Sequence, residues 1–171
     1  LVAFIVLAPL LGAAVAVASA RAAAATALTT SAMVVAAVAL LSAAVLEQGP
    51  VVHAAGAWGA PLGIVLRADG LAVLLLATTA VIGAAISVYA AAYFRPIFPH
   101  EADRGIRFFW PLWLIVWSAL NAIFVSTDLF NLYVCLELLT LPAVALVALD
   151  GTRAAITAAM RYLLLSVVGS L

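Results

Sequence analysis

The fold is decided by the stretch STDLFNLYVCLELLTLP, residues 126–142, in which a polar turn opens a long apolar run. Asp128, at the end of the turn, has the side chain and position of a helix N-cap. The run that follows has the composition of a membrane-spanning helix, yet it contains a carboxylate, Glu137. An ionisable group within a span is costly and is usually functional, so Glu137 is the first candidate for a functional residue.

The composition is that of a membrane protein. Hydrophobic residues make up 69% of the 171 positions and charged residues only 8%, against about 25% charged in an ordinary soluble domain. The seven basic residues are all arginine and are balanced by seven acids, so no net charge would attract nucleic acid. The single cysteine, Cys135, lies in an apolar run, which leaves no disulfide framework and no Cys/His metal spacing.

Apolar runs recur along the chain at roughly the 20 residues that a helix needs to cross about 30 Å of hydrocarbon. Backbone groups in lipid must be paired internally, so runs of this length are predicted to be helices. The sequence therefore predicts an all-α polytopic membrane protein with five transmembrane helices and the start of a sixth, at 1–20, 22–46, 70–94, 108–125, 129–149 and about 154–171.

The ends of the chain favour a fragment of a longer protein. The first residue is Leu1 rather than Met, and the last apolar run is too short to cross a bilayer comfortably. Residues 18–20, Ala-Ser-Ala, resemble a signal-peptide cleavage site. No basic segment precedes the first apolar run, however, so a first span fits better than a signal peptide.

The breaks between the runs differ in kind. Residues 47–68 are rich in Gly and Pro and predict an ordered loop or hairpin outside the spans. Residues 95–107 form a charged loop that is broken by Pro. The turns at 126–128 and 150–152 are so short that the helices they join are predicted to be antiparallel neighbours.

The distribution of arginine predicts the orientation. Only Arg67 lies on one side of the membrane, whereas the loops after the odd-numbered spans carry Arg21, Arg95, Arg104, Arg107 and Arg153. Arginine-rich loops stay in the cytoplasm, so the N-terminus is predicted to face outward.

Helix geometry places Glu137 roughly 13 Å from Asp128 and about 20 Å from Asp150, near the middle of the bilayer. At such a depth an acid costs on the order of 3 kcal/mol and normally faces a bundle interior or a water-filled cavity. A low dielectric favours the neutral form of a carboxyl group and an approaching cation favours the charged form, so such a group can take up and release a proton. The alternative is a neutral glutamic acid that hydrogen-bonds a neighbouring helix.

Neighbouring residues predict a polar, inward face around Glu137. Tyr133 and Thr140 have the i, i+4, i+7 spacing with it and so share one stripe of the helix. Pro142 has no N–H to donate to the carbonyl of Leu138, which predicts a bend and a free acceptor beside the acid. Water could enter at such a place.

Arg161 is the second ionisable candidate within an apolar run. Its depth is roughly 12 Å beyond the turn at 150–152, so its side chain must either extend outward to the interface or pair inward. Pairing with Glu137 would favour the charged form of the acid, which makes Arg161 a candidate modulator of its protonation. Both alternatives stay open.

The string DLFNLYV, the acid that follows it and the upstream GAWGAPLGIVLRADGLAVLLL resemble the D-type subunit of Mrp cation/proton antiporters. Nearly all of the chain is similar to this antiporter-like family, which also includes membrane subunits of respiratory complex I and of membrane-bound hydrogenases. The resemblance implies a bacterial plasma-membrane protein in a hetero-oligomeric complex. The transported species it implies are protons and a monovalent cation such as sodium.

The resemblance also implies a fold of about fourteen helices with two inverted five-helix repeats. Residues 1–171 would form one transmembrane domain, in which 1–107 hold three peripheral helices and 108–171 begin the first repeat. The family's fifth-span relay acid matches Glu137, and a basic position early in its sixth span matches Arg161. In the family the acid works against a lysine on a broken seventh helix. This chain contains no lysine, so only half of that pair carries over.

Other polar and small residues favour packing. Ser118 and Asn121 make a polar seam on the fourth helix that could face Glu137, although interhelical hydrogen bonding explains the seam as well. Gly83 and Ser87 have the small-xxx-small spacing that lets helices approach closely. Trp110, near the start of the fourth helix, has the position of an interface anchor.

Motifs for cofactor chemistry are missing from the sequence: we find no phosphate-binding glycine loop, nucleophile triad or quinone box, and we predict no cofactor and no metal site.

The sequence predicts a proton-conducting, cation/proton antiporter-like subunit, which would be a transporter rather than an enzyme. Two alternatives stay open. One is a proton-pumping membrane subunit of a complex I-like or hydrogenase-linked oxidoreductase, and the other is a noncatalytic membrane scaffold.

The predicted orientation can be tested by cysteine labelling. In a Cys135→Ser background, Asp103→Cys should react with a membrane-impermeant maleimide only after the membrane is opened, because its loop is predicted to be cytoplasmic. His53→Cys, in the loop on the opposite side, is the control and should react in intact cells. Labelling of position 103 in intact cells would reverse the topology.

Overall fold

Six helices and one β-hairpin make up the part of the chain that the computed structural model describes, residues 1–55, 63–94 and 104–170. The elements are α1 Val2–Ala18, α2 Ala23–Gln48, β1 Val51–Ala55, β2 Ile64–Ala68, α3 Gly70–Tyr93, α4 Arg104–Val125, α5 Leu129–Ala148 and α6 Arg153–Ser170. The predicted all-α polytopic class is confirmed. The hairpin predicted within 47–68 is confirmed as an antiparallel pair, whereas most of the predicted loop at 95–107 lies outside the described residues.

Four of the described helices, α2 to α5, are long and apolar enough to cross a membrane. Helix α1 is also apolar but shorter, at 17 residues. Helix α6 begins after the turn at 150–152, where Gly151 has a positive φ of 69° and the Thr152 hydroxyl accepts a hydrogen bond from the Ala155 N–H. The observed helices coincide with the predicted apolar runs to within a few residues.

Helices α1 to α4 form a bundle that contains two apolar clusters. Helix α1 packs on α2 and α4, α2 packs on α3, and α3 touches α4. The centre is filled by side chains that are almost completely buried, among them Ile5, Leu41, Leu76 and Trp117. Helix α5 packs on α4 and α6 packs on α5, so α4 joins the bundle to the outer pair of helices. Accordingly 56% of the α4 span is buried but only 17% of the α5 span.

Gly83 and Ser87 allow α3 to approach α4, as their spacing predicts. A Cβ atom on Gly83 would lie 2.7 Å from the Trp117 ring, so only glycine fits at this contact. One turn further along α3, Ser87 Oγ accepts a hydrogen bond from Trp113 Nε1 at 3.0 Å, and Ser31 Oγ of α2 lies 3.0 Å from the same oxygen. The small residues therefore let three helices meet at one point.

The prediction that Trp110 anchors the chain at the interface is wrong. Trp110 is only 3% exposed and packs in a second cluster with alanines of α1, α2 and α3, including Ala13, Ala27 and Ala90. Its position near a helix start suggested an anchor because the sequence does not reveal that α4 is surrounded by other helices.

The close contact at Gly83 predicts a large effect for a single methyl group. Gly83→Ala should destabilise the purified protein by about 1–3 kcal/mol, because the added Cβ forces the Trp117 ring to move within a packed core. Gly169→Ala, where nothing lies within 4 Å, is the matched control and should be neutral or slightly stabilising. Thermal unfolding in detergent measures both, and equal midpoints for the two variants would contradict this packing.

Candidate functional site

The start of α5 is fixed by Asp128. Its backbone is extended, with φ −127° and ψ 152°, and its carboxylate accepts a hydrogen bond from the Asn131 N–H at 2.7 Å. The carbonyl of the same residue accepts the first helical hydrogen bond, from the Leu132 N–H at 3.0 Å. This geometry confirms the predicted N-cap.

The turn that carries this cap is held by the hairpin. Ser126 forms a bridge with Leu66 of β2, and the Thr127 hydroxyl donates to the Val65 carbonyl at 2.7 Å. Asn131 Nδ2 in turn donates to Ser126 Oγ at 3.0 Å. The hairpin thus sets where α5 begins, and with it the depth of every side chain on that helix.

Glu137 lies on α5 about 13 Å along the helix from its cap, and its side chain is partly buried. Within residues 1–55, 63–94 and 104–170, the carboxylate makes neither a hydrogen bond nor an ion pair. The structure therefore gives the acid a place in the middle of a span without a fixed partner on the described chain. Its role as a proton relay stays a prediction.

The two ends of the predicted polar stripe, Tyr133 and Thr140, differ in their burial. Thr140 is 8% exposed, and its hydroxyl lies 3.0 Å from the Leu136 carbonyl and 3.2 Å from Ser166 Oγ of α6. Tyr133, at the other end, is 42% exposed. Sequence analysis did not find Ser166, since its pairing depends on how α6 is rotated against α5. The only signal was a hydroxyl residue in an otherwise apolar helical run.

Pro142 is buried inside α5, which continues through it to Ala148. Because proline has no N–H, the Leu138 carbonyl has lost its usual donor one turn earlier. In the part of the chain that the structure describes, no side chain donates to this carbonyl. The site thus combines a carboxylate, a carbonyl without its helical donor and, through Thr140 and Ser166, a pair of hydroxyl groups.

The remaining candidates lie elsewhere. Arg161 is exposed on α6 and makes no ion pair with the described residues. Ser118 and Asn121 face α1: the Ser118 hydroxyl donates to the Val6 carbonyl at 2.6 Å and Asn121 Nδ2 donates to the Ile5 carbonyl at 3.0 Å. Interhelical hydrogen bonding, rather than a contact with Glu137, therefore explains the seam.

Among the described residues, no group of three or more His, Cys, Asp and Glu side chains comes together as a ligand set. The polar contact that the structure shows between α5 and α6 is that of two hydroxyl groups, Thr140 and Ser166.

Comparison with known proteins places these features in a family. The chain is 33% identical over 131 residues to the D-type subunit of the Na(+)/H(+) antiporter of Bacillus subtilis (strain 168), covering 77% of this chain and 25% of that protein. It is 37% identical over 125 residues to the N-type subunit of the NADH-quinone oxidoreductase of Desulforudis audaxviator, covering 73% and 24% of the two chains. No family model matches the sequence.

The fold agrees with these relatives. A chain in the structure of the Mrp complex from Dietzia sp. superposes with a TM-score of 0.84 at 24% identity, covering 99% of this chain and 32% of that one. The class is thus a multi-pass, antiporter-like membrane subunit. Within it, the chain is a homologue of the D-type antiporter subunits and of the N-type quinone oxidoreductase subunits. It spans about a quarter of the length of these curated relatives.

The contribution of the Asp128 side chain as a helix cap can be separated from the contribution of its charge. Asp128→Ala should lower the stability by about 0.5–2 kcal/mol, because the Asn131 N–H loses its acceptor. Asp128→Asn keeps an acceptor oxygen but removes the charge, so it should unfold like the wild type. Chemical or thermal unfolding compares the three proteins. An equal loss of stability in both variants would show that the charge, rather than the cap, is what matters.

Proposed function

We propose that this chain is part of a proton-conducting, cation/proton antiporter-like subunit of a multisubunit membrane complex, and that Glu137 is its relay acid. The observation that carries the proposal is the placement of Glu137. A capped helix, fastened by the hairpin, holds a partly buried carboxylate in the middle of an apolar span, without an ion-pair partner on the described chain. An ionisable side chain at such a position in a span is usually functional.

The neighbours of Glu137 support proton transfer over simple packing. Thr140 lies three residues along the same face, and its hydroxyl contacts Ser166 across the α5–α6 contact. Hydroxyl groups both donate and accept hydrogen bonds, so they can pass a proton or orient water. The Leu138 carbonyl, freed by Pro142, adds an acceptor for water beside the acid. Tyr133 extends the stripe toward the helix start.

The relatives support the choice of transported ions and partners. The Bacillus subtilis relative is a subunit of a Na(+)/H(+) antiporter, so we propose protons and sodium as the ions transported by the protein to which this chain belongs. We further propose that the N-terminus faces outward and that residues 108–171 begin an inverted repeat whose peripheral neighbours are 1–107. The plasma membrane of a bacterium is the proposed location.

Arg161 has a secondary part in the proposal. It lies on α6, the helix that packs on α5, and we propose that its positive charge modulates the protonation of the relay acid. Removing it in Arg161→Gln should move the pH profile of transport to higher pH. An unchanged profile would leave Arg161 as a side chain that simply reaches the interface.

A second candidate function is supported by the oxidoreductase relative. The identity to that relative is 37%, higher than the 33% to the antiporter relative, although the aligned lengths are similar. In that case the same acid would relay protons that are driven by redox chemistry in other subunits. Purification of the native complex separates the two functions. Iron–sulfur and quinone-reactive partners would favour the oxidoreductase, and purely membrane-embedded partners would favour the antiporter.

The central test replaces the acid in the full-length complex. Glu137→Gln and Glu137→Ala should each lower proton-coupled transport in membrane vesicles by about tenfold or more, since a positioned acid–base group contributes about 10²–10⁴-fold. Glu47→Gln is the matched control, because Glu47 is exposed in the last turn of α2 rather than in the middle of a span. Fluorescence of a pH-sensitive dye reports the transport.

The variants also distinguish the relay from a scaffold. If Glu137 only specifies helix packing, Glu137→Gln keeps its hydrogen-bonding capacity and should preserve both assembly and transport. Blue-native electrophoresis of each variant shows whether the complex assembles. Full transport by the assembled Glu137→Gln complex would remove the relay.

A further inference from the structure

Two polar atoms in the centre of the α1–α4 bundle have no hydrogen-bond partner among the described residues. They are the indole nitrogen of Trp117 and the amide oxygen of Asn121. Trp117 is 1% exposed, and Asn121 is 0% exposed. Buried polar groups in folded proteins are almost always hydrogen-bonded, so each of these atoms requires a partner.

The two residues lie on the same face of α4. Trp117 and Asn121 are four residues apart, which places their side chains one above the other on one helix face. Both are directed into the bundle, because the Trp117 ring packs on Gly83 of α3 and Asn121 bonds to Ile5 of α1. They are also complementary, since an indole N–H only donates and an amide oxygen only accepts.

The orientation of the Asn121 amide is fixed by α1. Pro9 has no N–H, so the Ile5 carbonyl one turn earlier has lost its helical donor. Asn121 Nδ2 donates to this carbonyl at 3.0 Å. A flipped amide would place its oxygen against the Ile5 oxygen, where neither atom can donate. The unpaired atom is therefore the oxygen, and it requires a donor that α1 does not supply.

We infer that a single water molecule binds between Trp117 Nε1 and Asn121 Oδ1. The ligand must accept a hydrogen bond from the indole and donate one to the amide oxygen. Water does both, whereas a metal cation cannot accept from an N–H and an anion cannot donate to an oxygen. The site is separate from Glu137 and does not depend on the proposed function. The water connects the packing contact between Trp117 and Gly83 to the hydrogen bond between Asn121 and Ile5. It thereby holds α4 in register with α3 and α1.

Raman spectroscopy of the indole N–H tests this site in the purified full-length protein. The difference between wild type and Trp117→Phe isolates the marker band of Trp117, which should show a hydrogen-bonded N–H. In Asn121→Leu, which removes the amide with little change in volume, the same band should shift to that of an unbonded N–H. Trp113 is the internal control, because its N–H donates to Ser87 and its band should not change.

A high-resolution cryo-electron microscopy map of the unmodified protein completes the test without a variant. A density peak within hydrogen-bond distance of both atoms supports the inference. An unbonded Trp117 N–H in the wild type would overturn it, and so would a direct contact between the indole and the amide with no peak between them.

Discussion

The structure depends on one constraint, that a backbone carbonyl within the membrane must find a donor. Three prolines lie inside the described helices, Pro9 in α1, Pro111 in α4 and Pro142 in α5, and each breaks this rule locally. The chain treats Pro9 and Pro142 differently. Pro9 frees the Ile5 carbonyl, and Asn121 of a neighbouring helix satisfies it at 3.0 Å. Pro142 frees the Leu138 carbonyl next to Glu137, and no side chain of the described residues donates to it. The carbonyl freed by Pro9 therefore links α1 to α4, whereas the carbonyl freed by Pro142 is left as a hydrogen-bond acceptor next to Glu137 in the chain.

Helix α4 connects the α1–α4 bundle to α5, the helix that contains Glu137. Its inner face is fixed by Asn121 on α1 and by Trp117 on α3, and its far end leads through the turn at 126–128 into α5. The hairpin holds that turn through Thr127 and Val65. Because the start of α5 is fixed twice, by the hairpin and by the Asp128 cap, the depth of Glu137 does not depend on α6. Rigid surroundings of this kind position a functional group more accurately than a loop would.

Features encoded along one helix were predictable from the sequence, and features between helices were not. The spans, the hairpin within 47–68 and the Asp128 cap follow from apolar length, Gly and Pro content and a local hydrogen bond. The burial of Trp110 and the pairing of Thr140 with Ser166 depend on which helices are neighbours and how each is rotated. Ser118 and Asn121 show this limit of prediction from sequence. The polar seam that they form was predicted, but the helix to which it bonds, α1, was not.

The proposed relay at Glu137 requires surroundings that can respond to a charge, because a low dielectric makes an uncompensated charge costly. A fixed countercharge would hold the acid in one state. Hydroxyl groups do not, since Thr140 and Ser166 can each rotate an O–H bond to donate or to accept without moving the backbone. Their contact at 3.2 Å is long for two hydroxyls and is easily exchanged for water. Hydroxyl groups that can reorient while the helices stay in place are what the proposed relay needs along the face of α5, whereas a purely structural contact does not need them.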